Sequence, residues 1–220
     1  MHKGLFITGT DTGVGKTHFS ALLLRALRAT GVDAVGMKPF CCGDRTDAEL
    51  LHAASGEAAD MALVNPVWLR VPAAPYTASL VENRILDVAT AQDALVTLRN
   101  RHSFVVVEGV GGWRVPLTDQ VCMSDFAVEL GFPVVVVAAN RLGALNHVQL
   151  TVDAIIARGL RCAGVVLNEP IPAEPDPASV TNRGVLEQLL RVPVLGELAW
   201  GEAHLSVALL ASLRTHGVLP

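Results

Sequence analysis

Cysteine is scarce in the sequence, and its spacing suits neither a metal site nor a disulfide framework. The four cysteines stand at positions 41, 42, 122 and 162, without a C-x-x-C pair and with the first two adjacent. Zinc sites and disulfide-rich secreted domains both need several cysteines at regular short spacings. We therefore expect reduced thiols and neither kind of cysteine-based site.

Long apolar runs and clusters of positive charge are also missing. Apolar runs such as 104–107 and 133–139 are far shorter than the ~20 residues of a membrane-spanning helix, and residues 1–8 lack the apolar core of a signal peptide. Lysine and arginine total 17 against 21 acidic residues, a net charge of -4, and no basic run occurs. We therefore expect a cytoplasmic protein that binds small molecules, not nucleic acid or a membrane.

Apolar runs typical of buried strands alternate with amphipathic segments typical of helices along the chain, and no internal repeat is visible. This alternation predicts a mostly parallel central sheet with helices on both faces. At 220 residues the chain is long enough for one substantial core, so we expect a single α/β domain over 1–220.

The hydrophobic pattern also places the individual elements. The predicted strands are 5–7, 32–38, 103–107, 133–139, 161–167 and 192–196. The predicted helices are 16–29, 48–54, 88–101, 125–130, 146–158, 178–190 and 203–213. The remaining stretches are a polar turn at 40–47, an excursion at 55–88 with at most a short strand and a helix near 77–82, and an exposed loop at 171–177.

The stretch 9–17 reads G-T-D-T-G-V-G-K-T and lies between the first predicted strand and the first predicted helix. Thr10 stands where the pattern G-x-x-x-x-G-K-[ST] has its first glycine, but 13–17 fits the tighter form G-x-G-K-T. Glycines let backbone N–H groups approach phosphate oxygens, Lys16 supplies a cation for the β- and γ-phosphates, and the Thr17 hydroxyl can hold Mg²⁺. The alternative is a glycine-rich turn that binds nothing. The order of strand, loop and helix favours nucleotide binding.

Charged residues follow two other predicted strands. Lys38 ends the second strand and Glu108 ends the strand 103–107. Because the carboxyl ends of parallel strands meet at one edge of a sheet, both side chains are expected near the glycine loop. Glu108 stands where a Walker B acid meets Mg²⁺, and Asp47, at the start of a predicted helix, is either a cap or a further Mg²⁺ ligand. The alternative for Lys38 is an exposed lysine at a strand end.

Glycines at 109, 111 and 112 follow Glu108 and predict a loop whose N–H groups could approach a ligand. The alternative is an ordinary turn before Trp113 packs into the core.

Together these motifs resemble those of the dethiobiotin synthetases, ATP-dependent enzymes that close the ureido ring in biotin synthesis. The resemblance runs in order from residue 7 to about 200. The matching segments are T-G-T-D-T at 8–12, V-G-K-T at 14–17, Lys38-Pro39, Asp47, V-E-G at 107–109, G-G-W at 111–113, V-P-L at 115–117, Leu142-Gly143, Asn146-His147, Asn168 and L-G-E at 195–197.

The resemblance implies a homodimer that takes 7,8-diaminononanoate, CO₂ and MgATP and releases dethiobiotin, ADP and phosphate. An amine and CO₂ form a carbamate, ATP phosphorylates it, and the second amine closes the ring. Because the carbamate and the γ-phosphate are both anions, cations must screen their encounter. Lys16, Lys38 and Mg²⁺ are the available charges.

The resemblance also implies roles for individual residues. Lys16 and Lys38 are expected to be catalytic, with Lys38 on the carbamate and the γ-phosphate. The expected Mg²⁺ ligands are Thr17, Asp47 and Glu108. The expected ATP contacts are Gly13, Val14, Gly15, Lys16, Thr17, His18, Asp47, Glu108, Gly109, Val110, Gly111, Asn168 at the adenine, Leu198, Ala199 and Trp200. The expected substrate contacts are Thr12, Lys38, Cys42 and, from the partner subunit, the start of a helix at Gly143 and Asn146, where the substrate carboxylate lies.

Three positions depart from the family pattern. Cys42 replaces a serine or threonine, Ala199 replaces a common proline, and Pro75-Tyr76 stands where Pro-His is usual. A thiol is a poor hydrogen-bond donor, so the contact at Cys42 is expected to be weaker. These departures leave open a relative that acts on another amine.

Other P-loop proteins are the remaining alternatives. ParA- and MinD-like nucleotide switches carry a signature lysine five residues before the loop lysine, where this sequence has Asp11. Amidoligases such as the cobyrinate amidase-synthetases need a glutaminase domain, which we do not expect in a chain of this length. A non-catalytic switch would not need both Lys38 and Glu108, so these residues favour an enzyme.

Overall fold

The structure, a computed structural model, describes residues 4–172, 174 and 176–219. In chain order the strands are β1 (Gly4–Gly9), β2 (Ala34–Met37), β3 (Phe40–Cys42), β4 (Val67–Leu69), β5 (Phe104–Gly112), β6 (Val134–Ala139), β7 (Cys162–Asn168) and β8 (Val194–Leu198). The helices are α1 (Lys16–Ala29), α2 (Thr46–Ala54), α3 (Met61–Val64), α4 (Pro75–Val81), α5 (Val88–Arg101), α6 (Met123–Leu130), α7 (Ala144–Ala157), α8 (Pro177–Leu189) and α9 (Val207–Thr215).

Six strands form a parallel sheet in the order β2-β5-β1-β6-β7-β8, and β3 pairs with β4 in a separate parallel pair. This confirms the predicted fold class. Because every connection within the large sheet joins parallel strands, the carboxyl ends of all six strands lie at one edge. Among the described residues, no helix has the length and apolar character needed to cross a membrane.

The core lies on both faces of the large sheet, because side chains alternate along each strand. Leu5 and Ile7 of β1 pack on one face with Leu23 of α1, in a cluster that also contains residues of α2 and α9. Phe6 lies on the opposite face with residues of α5, α6, α7 and α8, and its ring meets Trp113 edge to face at a centroid distance of 6.3 Å. Strands buried on both faces give the apolar runs in the sequence, and helices buried on one face give the amphipathic segments.

Two predicted loops are strands. Residues 40–47 were predicted to be a polar turn, but Phe40–Cys42 pairs in parallel with Val67–Leu69, from the segment 55–88 in which at most one short strand was predicted. The glycines after Glu108 were predicted to form a loop, but β5 continues to Gly112, which pairs with Gly9 after a shift in register. In both cases the decisive hydrogen bonds come from residues distant in the sequence.

Several predicted boundaries also move. The last helix begins at Val207 and not at residue 203, because the Ser206 hydroxyl accepts a hydrogen bond from the backbone N–H of Leu209 and caps the helix there. Strand β8 lies two residues later than predicted. Part of the predicted loop 171–177 falls outside the described residues, and Asp176 caps α8.

Candidate active site

The glycine loop joins β1 to α1 at the carboxyl edge of the sheet. Gly13 and Gly15 have φ angles of 73° and 95°, which side-chain-bearing residues rarely adopt, and α1 begins immediately after Gly15. The first backbone N–H groups of α1 therefore face the space above the loop, as an anion site requires. Lys16 and Thr17 form the first turn of this helix.

Asn168, the last residue of β7, fixes the loop from the side. Its Nδ2 donates a hydrogen bond to the Val14 carbonyl at 2.9 Å, and a Cβ on Gly15 would lie 2.1 Å from the same nitrogen. The position of Gly15 therefore excludes any side chain. The Asn168 side chain is buried, and within the described part of the chain its Oδ1 has no hydrogen-bond partner.

A cavity of ≈ 880 Å³ opens above the loop at this edge of the sheet. Most of the predicted site residues lie in its wall. Those residues are Thr12, Gly13, Gly15, Lys16, Thr17, His18, Lys38, Cys42, Asp47, Val110, Gly111, Asn168 and Trp200. A volume of this size is in the range of ligand-binding pockets.

Lys38 is the centre of a buried cluster of charges beside the loop. Its Nζ lies 2.5 Å from Glu108 Oε1 and 2.7 Å from Asp47 Oδ2, and the Thr17 hydroxyl donates to the same Glu108 oxygen at 2.7 Å. Lys38 is 3% exposed and Glu108 is fully buried, whereas about half of the Asp47 side chain is exposed. Lys38 after β2, Glu108 within β5, Asp47 on α2 and Thr17 on α1 thus bring together one cation, two carboxylates and a hydroxyl.

The charges of this cluster determine its protonation. Burial by itself lowers the pKa of Lys38, but the carboxylates of Glu108 and Asp47 outweigh burial and raise that pKa above its usual value. Burial likewise opposes ionisation of Asp47, and the ammonium of Lys38 nevertheless holds the pKa of Asp47 below its usual range. Lys38 and Asp47 are therefore charged at neutral pH.

Lys16 is the second buried cation of the site. Its Nζ donates a hydrogen bond to the Asp11 carbonyl at 2.9 Å, across the loop. Burial, together with the positive charge of Lys38, lowers the pKa of Lys16 to about 8. Lys16 is therefore mostly protonated at pH 7 and loses its proton as the pH rises through about 8, unless a bound anion raises its pKa.

Some predicted residues lie elsewhere. Val14 contributes its carbonyl to Asn168 and is itself buried, and Gly109 lies within β5 behind the cavity wall. Leu198 is buried at the end of β8, so Trp200 and not Leu198 or Ala199 presents a side chain to the cavity. Gly143 and Asn146 lie outside this wall, in the exposed turn before α7 and in its first turn.

The cavity also contains residues to which the sequence analysis assigned no role in the site. The segment Pro72–Pro75 forms one part of its wall, Val115 a second, and Glu169 and Pro170 a third. Glu169 directly follows a strand end, so the rule that selected Lys38 could also have selected it. No periodicity or motif marked 72–74.

A parallel sheet with a G-x-G-K-T loop at its carboxyl edge, a second buried lysine and a buried acid on the adjacent strand β5 defines a P-loop nucleotide-binding protein. Sequence comparison agrees, because a family model described as an AAA domain matches residues 3–204. Solved structures share the fold at low identity. A putative plasmid partition protein from Borrelia burgdorferi B31 bound to AMPPNP superposes with a TM-score of 0.58 at 13% identity, covering 98% of this chain and 99% of that one. A ParA family ATPase from Chlorobium tepidum TLS gives 0.56 at 11% identity, covering 98% and 93%.

Curated relatives are much more similar. The ATP-dependent dethiobiotin synthetase BioD of Akkermansia muciniphila is 43% identical over 208 residues, which cover 94% of this chain and 97% of that protein. The enzymes of the same name from Anaeromyxobacter dehalogenans strain 2CP-C and Xanthomonas axonopodis pv. citri are 45% and 41% identical, each over at least 90% of both chains. The chain belongs to the ATP-dependent dethiobiotin synthetase family. The predicted family is thereby confirmed. Of the two activities considered, an ATP-dependent ligase and a nucleotide switch, the relatives support the ligase.

Proposed function

We propose that this cavity is where the chain combines 7,8-diaminononanoate, CO₂ and MgATP into dethiobiotin, ADP and phosphate. The observation that carries the proposal is the position of Lys38, a buried ammonium that reaches from the end of β2 to the side of the glycine loop. A second cation beside the loop lysine is what the transfer of a phosphoryl group to an anion needs. We place the reaction in the cytoplasm, where ATP is available.

ATP is proposed to lie along the loop, with its phosphates on the N–H groups of 13–18. Lys16 would exchange the Asp11 carbonyl for phosphate oxygens, which are stronger acceptors because they are charged. The buried Oδ1 of Asn168 is an acceptor without a partner among the described residues, and the exocyclic amine of adenine could donate to it. Trp200 lies on the same side of the cavity and offers its ring to the base.

Mg²⁺ is proposed to bind to the Thr17 hydroxyl and to the carboxylates of Asp47 and Glu108. Their oxygen atoms are the donors that Mg²⁺ prefers. The fit is supported by Glu108 Oε2, a buried carboxylate oxygen that has no partner within the described part of the chain. When bound there, Mg²⁺ supplies positive charge to the β- and γ-phosphate oxygens.

The residues of the chain then have defined tasks in the reaction. One substrate amine adds to CO₂ to form a carbamate, and a carbamate oxygen attacks the γ-phosphorus while the ADP oxygen leaves. Lys16 and Lys38 neutralise the charge that collects on the transferred group, and the Lys38 ammonium orients the carbamate. The second amine then attacks the carbonyl carbon and expels phosphate, which closes the ring. Thr12 and Cys42, in the cavity wall, are proposed substrate contacts.

A homodimer is proposed to complete the substrate site. Gly143 and Asn146 stand at the N-terminal end of α7, where unpaired backbone N–H groups suit a carboxylate, and they lie outside the cavity wall of their own chain. Large apolar side chains are exposed nearby, namely Leu142, Leu150 on α7 and Val180 on α8. A second copy covering these side chains would bring its own Gly143 and Asn146 to the substrate.

Phosphate release from ATP tests the proposed function. The purified protein is expected to release phosphate only when both 7,8-diaminononanoate and bicarbonate are present, with dethiobiotin formed in equal amount. Release that does not depend on the diamine would indicate a nucleotide switch. Release with another diamine but not with this one would identify a relative of shifted specificity.

A further inference from the structure

One part of the cavity wall is a short segment that we call the strap, residues 70–74 between β4 and α4. Pro72, Ala73 and Ala74 of the strap line the cavity, and Pro75 continues the wall into α4. These lining residues carry no charge and no side-chain hydrogen-bonding group. The strap is therefore an apolar part of a cavity wall that carries charged side chains elsewhere.

Glu82 fastens the base of the strap. Its Oε1 accepts hydrogen bonds from the backbone N–H groups of Arg70 at 2.5 Å and Val71 at 2.9 Å. Helix α4 begins directly after residue 74 of the strap, and Glu82 follows its last residue. The carboxylate of Glu82 thus reaches back to residues 70 and 71, where the strap begins. The Glu82 side chain is 13% exposed, and its other carboxylate oxygen lies 3.3 Å from Arg84 Nη1.

Among the described residues, other contacts also hold the strap, because Val71 and Ala73 pack against the hydrophobic core. The Gly43 backbone approaches Pro72 so closely that a Cβ on Gly43 would lie 3.0 Å from the proline ring, and the Trp68 indole N–H donates to the Gly43 carbonyl at 2.8 Å. Without Glu82, two adjacent backbone N–H groups at the strap base would lose their acceptor. Glu82 thus fixes the backbone at the base of the strap, directly before the residues that line the cavity.

We infer that Glu82 is a positioning residue for the diamine substrate: it holds the strap as the surface on which the hydrocarbon chain of the substrate lies. This inference depends on the proposed function. The substrate carries its amines at one end, where Lys38 and Cys42 lie, and a carboxylate at the other. The methylene chain between them has to cross a part of the cavity without charge, and the strap, with Val110 and Val115, supplies that surface.

The inference is tested by steady-state kinetics on Glu82→Ala, with Glu49→Ala as the control for loss of an exposed glutamate elsewhere. Glu82→Ala is expected to raise the KM for 7,8-diaminononanoate about tenfold, with the KM for ATP and kcat within about twofold, because the strap contacts substrate equally before and during reaction. Glu82→Gln keeps an acceptor oxygen, so its KM for the diamine is expected to lie between the values of the wild type and Glu82→Ala. Glu49→Ala is expected to behave as the wild type.

A second measurement separates positioning from a general loss of structure. In the wild type, the KM for a diamino acid shorter by two methylene groups is expected to be much higher than the KM for 7,8-diaminononanoate. In Glu82→Ala the difference between the two substrates is expected to be much smaller, because the variant has already lost the surface that the methylenes contact. Equal rises in both proteins, or a rise in the KM for ATP equal to that for the diamine, overturn the inference. If the wild type makes no dethiobiotin, the proposed function fails instead.

Discussion

The ammonium of Lys38 and the carboxylate of Glu108 form a buried ion pair, with Nζ 2.5 Å from Oε1, that joins the end of β2 to the middle of the neighbouring strand β5. Both side chains are almost completely removed from solvent. A pair of this kind is costly to break from one side, because the remaining charge stays buried without a partner. The same two groups that we propose to act in catalysis therefore also hold the edge of the sheet together.

Lys38→Met is expected to lower the free energy of unfolding by about 3–5 kcal/mol, since it leaves the Glu108 carboxylate buried and uncompensated. The double variant Lys38→Met, Glu108→Gln removes both charges and is expected to recover most of that loss. Urea unfolding at pH 7 measures both. Equal stability of the single and double variants would mean that the pair contributes packing and no charge compensation.

Lys38→Ala is expected to lower kcat by about 10²-fold or more, as loss of a donor to a transition-state anion does, while the Kd for ATP stays within a small factor. The reason is that the Lys38 charge is needed mainly when phosphoryl transfer takes place, whereas Lys16 binds the phosphates in the ground state. Single-turnover kinetics and equilibrium titration with ATP measure the two effects. Disappearance of ATP binding would show that the role given to Lys38 is wrong.

The arrangement of Lys38 and Glu108 could be predicted because it follows from strand order along the chain. Each residue ends an apolar run, and parallel strands deliver their ends to one edge whatever their order in the sheet. Side-chain pairing could not be predicted, because it depends on which strands are neighbours. The 2.5 Å contact exists because β2 lies beside β5.

The parts of the site that the sequence did not reveal depend on contacts between distant segments. Strand β3 is a strand only because Val67–Leu69 pairs with it, and the strap becomes a cavity wall only because that pairing places it there. Similarly, Asn168 was predicted from family resemblance as an adenine contact, yet its bond to the Val14 carbonyl spans most of the chain. No local pattern records such a bond.

Cys42→Ser is expected to leave turnover of 7,8-diaminononanoate intact or to improve it. Burial, with the negative charge of Glu82 nearby, raises the pKa of the Cys42 thiol to about 11, so the residue is an uncharged weak donor at neutral pH. A hydroxyl at the same place in the cavity wall donates a stronger hydrogen bond. The kcat/KM for the diamine measures the effect, with Cys122→Ser, outside the cavity, as the control. A large loss in Cys42→Ser alone would reveal a role of the thiol that its geometry does not explain.

ATP affinity is expected to decline as the pH rises through about 8, the lowered pKa of Lys16. The ammonium of Lys16 has to be protonated to bind the phosphates, and bound phosphate raises its pKa above the value in the free protein. Affinity is therefore full below about pH 8 and falls above it, approaching about tenfold per pH unit, as one proton must be taken up with each ATP. Titration with a non-hydrolysable ATP analogue between pH 7 and 9.5 measures this slope.

Lys16→Arg is the matched variant for this pH dependence. The arginine side chain stays charged over the whole range, so the slope above pH 8 is expected to disappear even if the affinity at pH 7 is lower. Because Lys38 has a raised pKa, held by Glu108 and Asp47 against the effect of burial, it does not titrate in this window and cannot replace Lys16 as the source of the slope. The same decline in Lys16→Arg as in the wild type would place the titrating group elsewhere and would remove the link between the lowered pKa and phosphate binding.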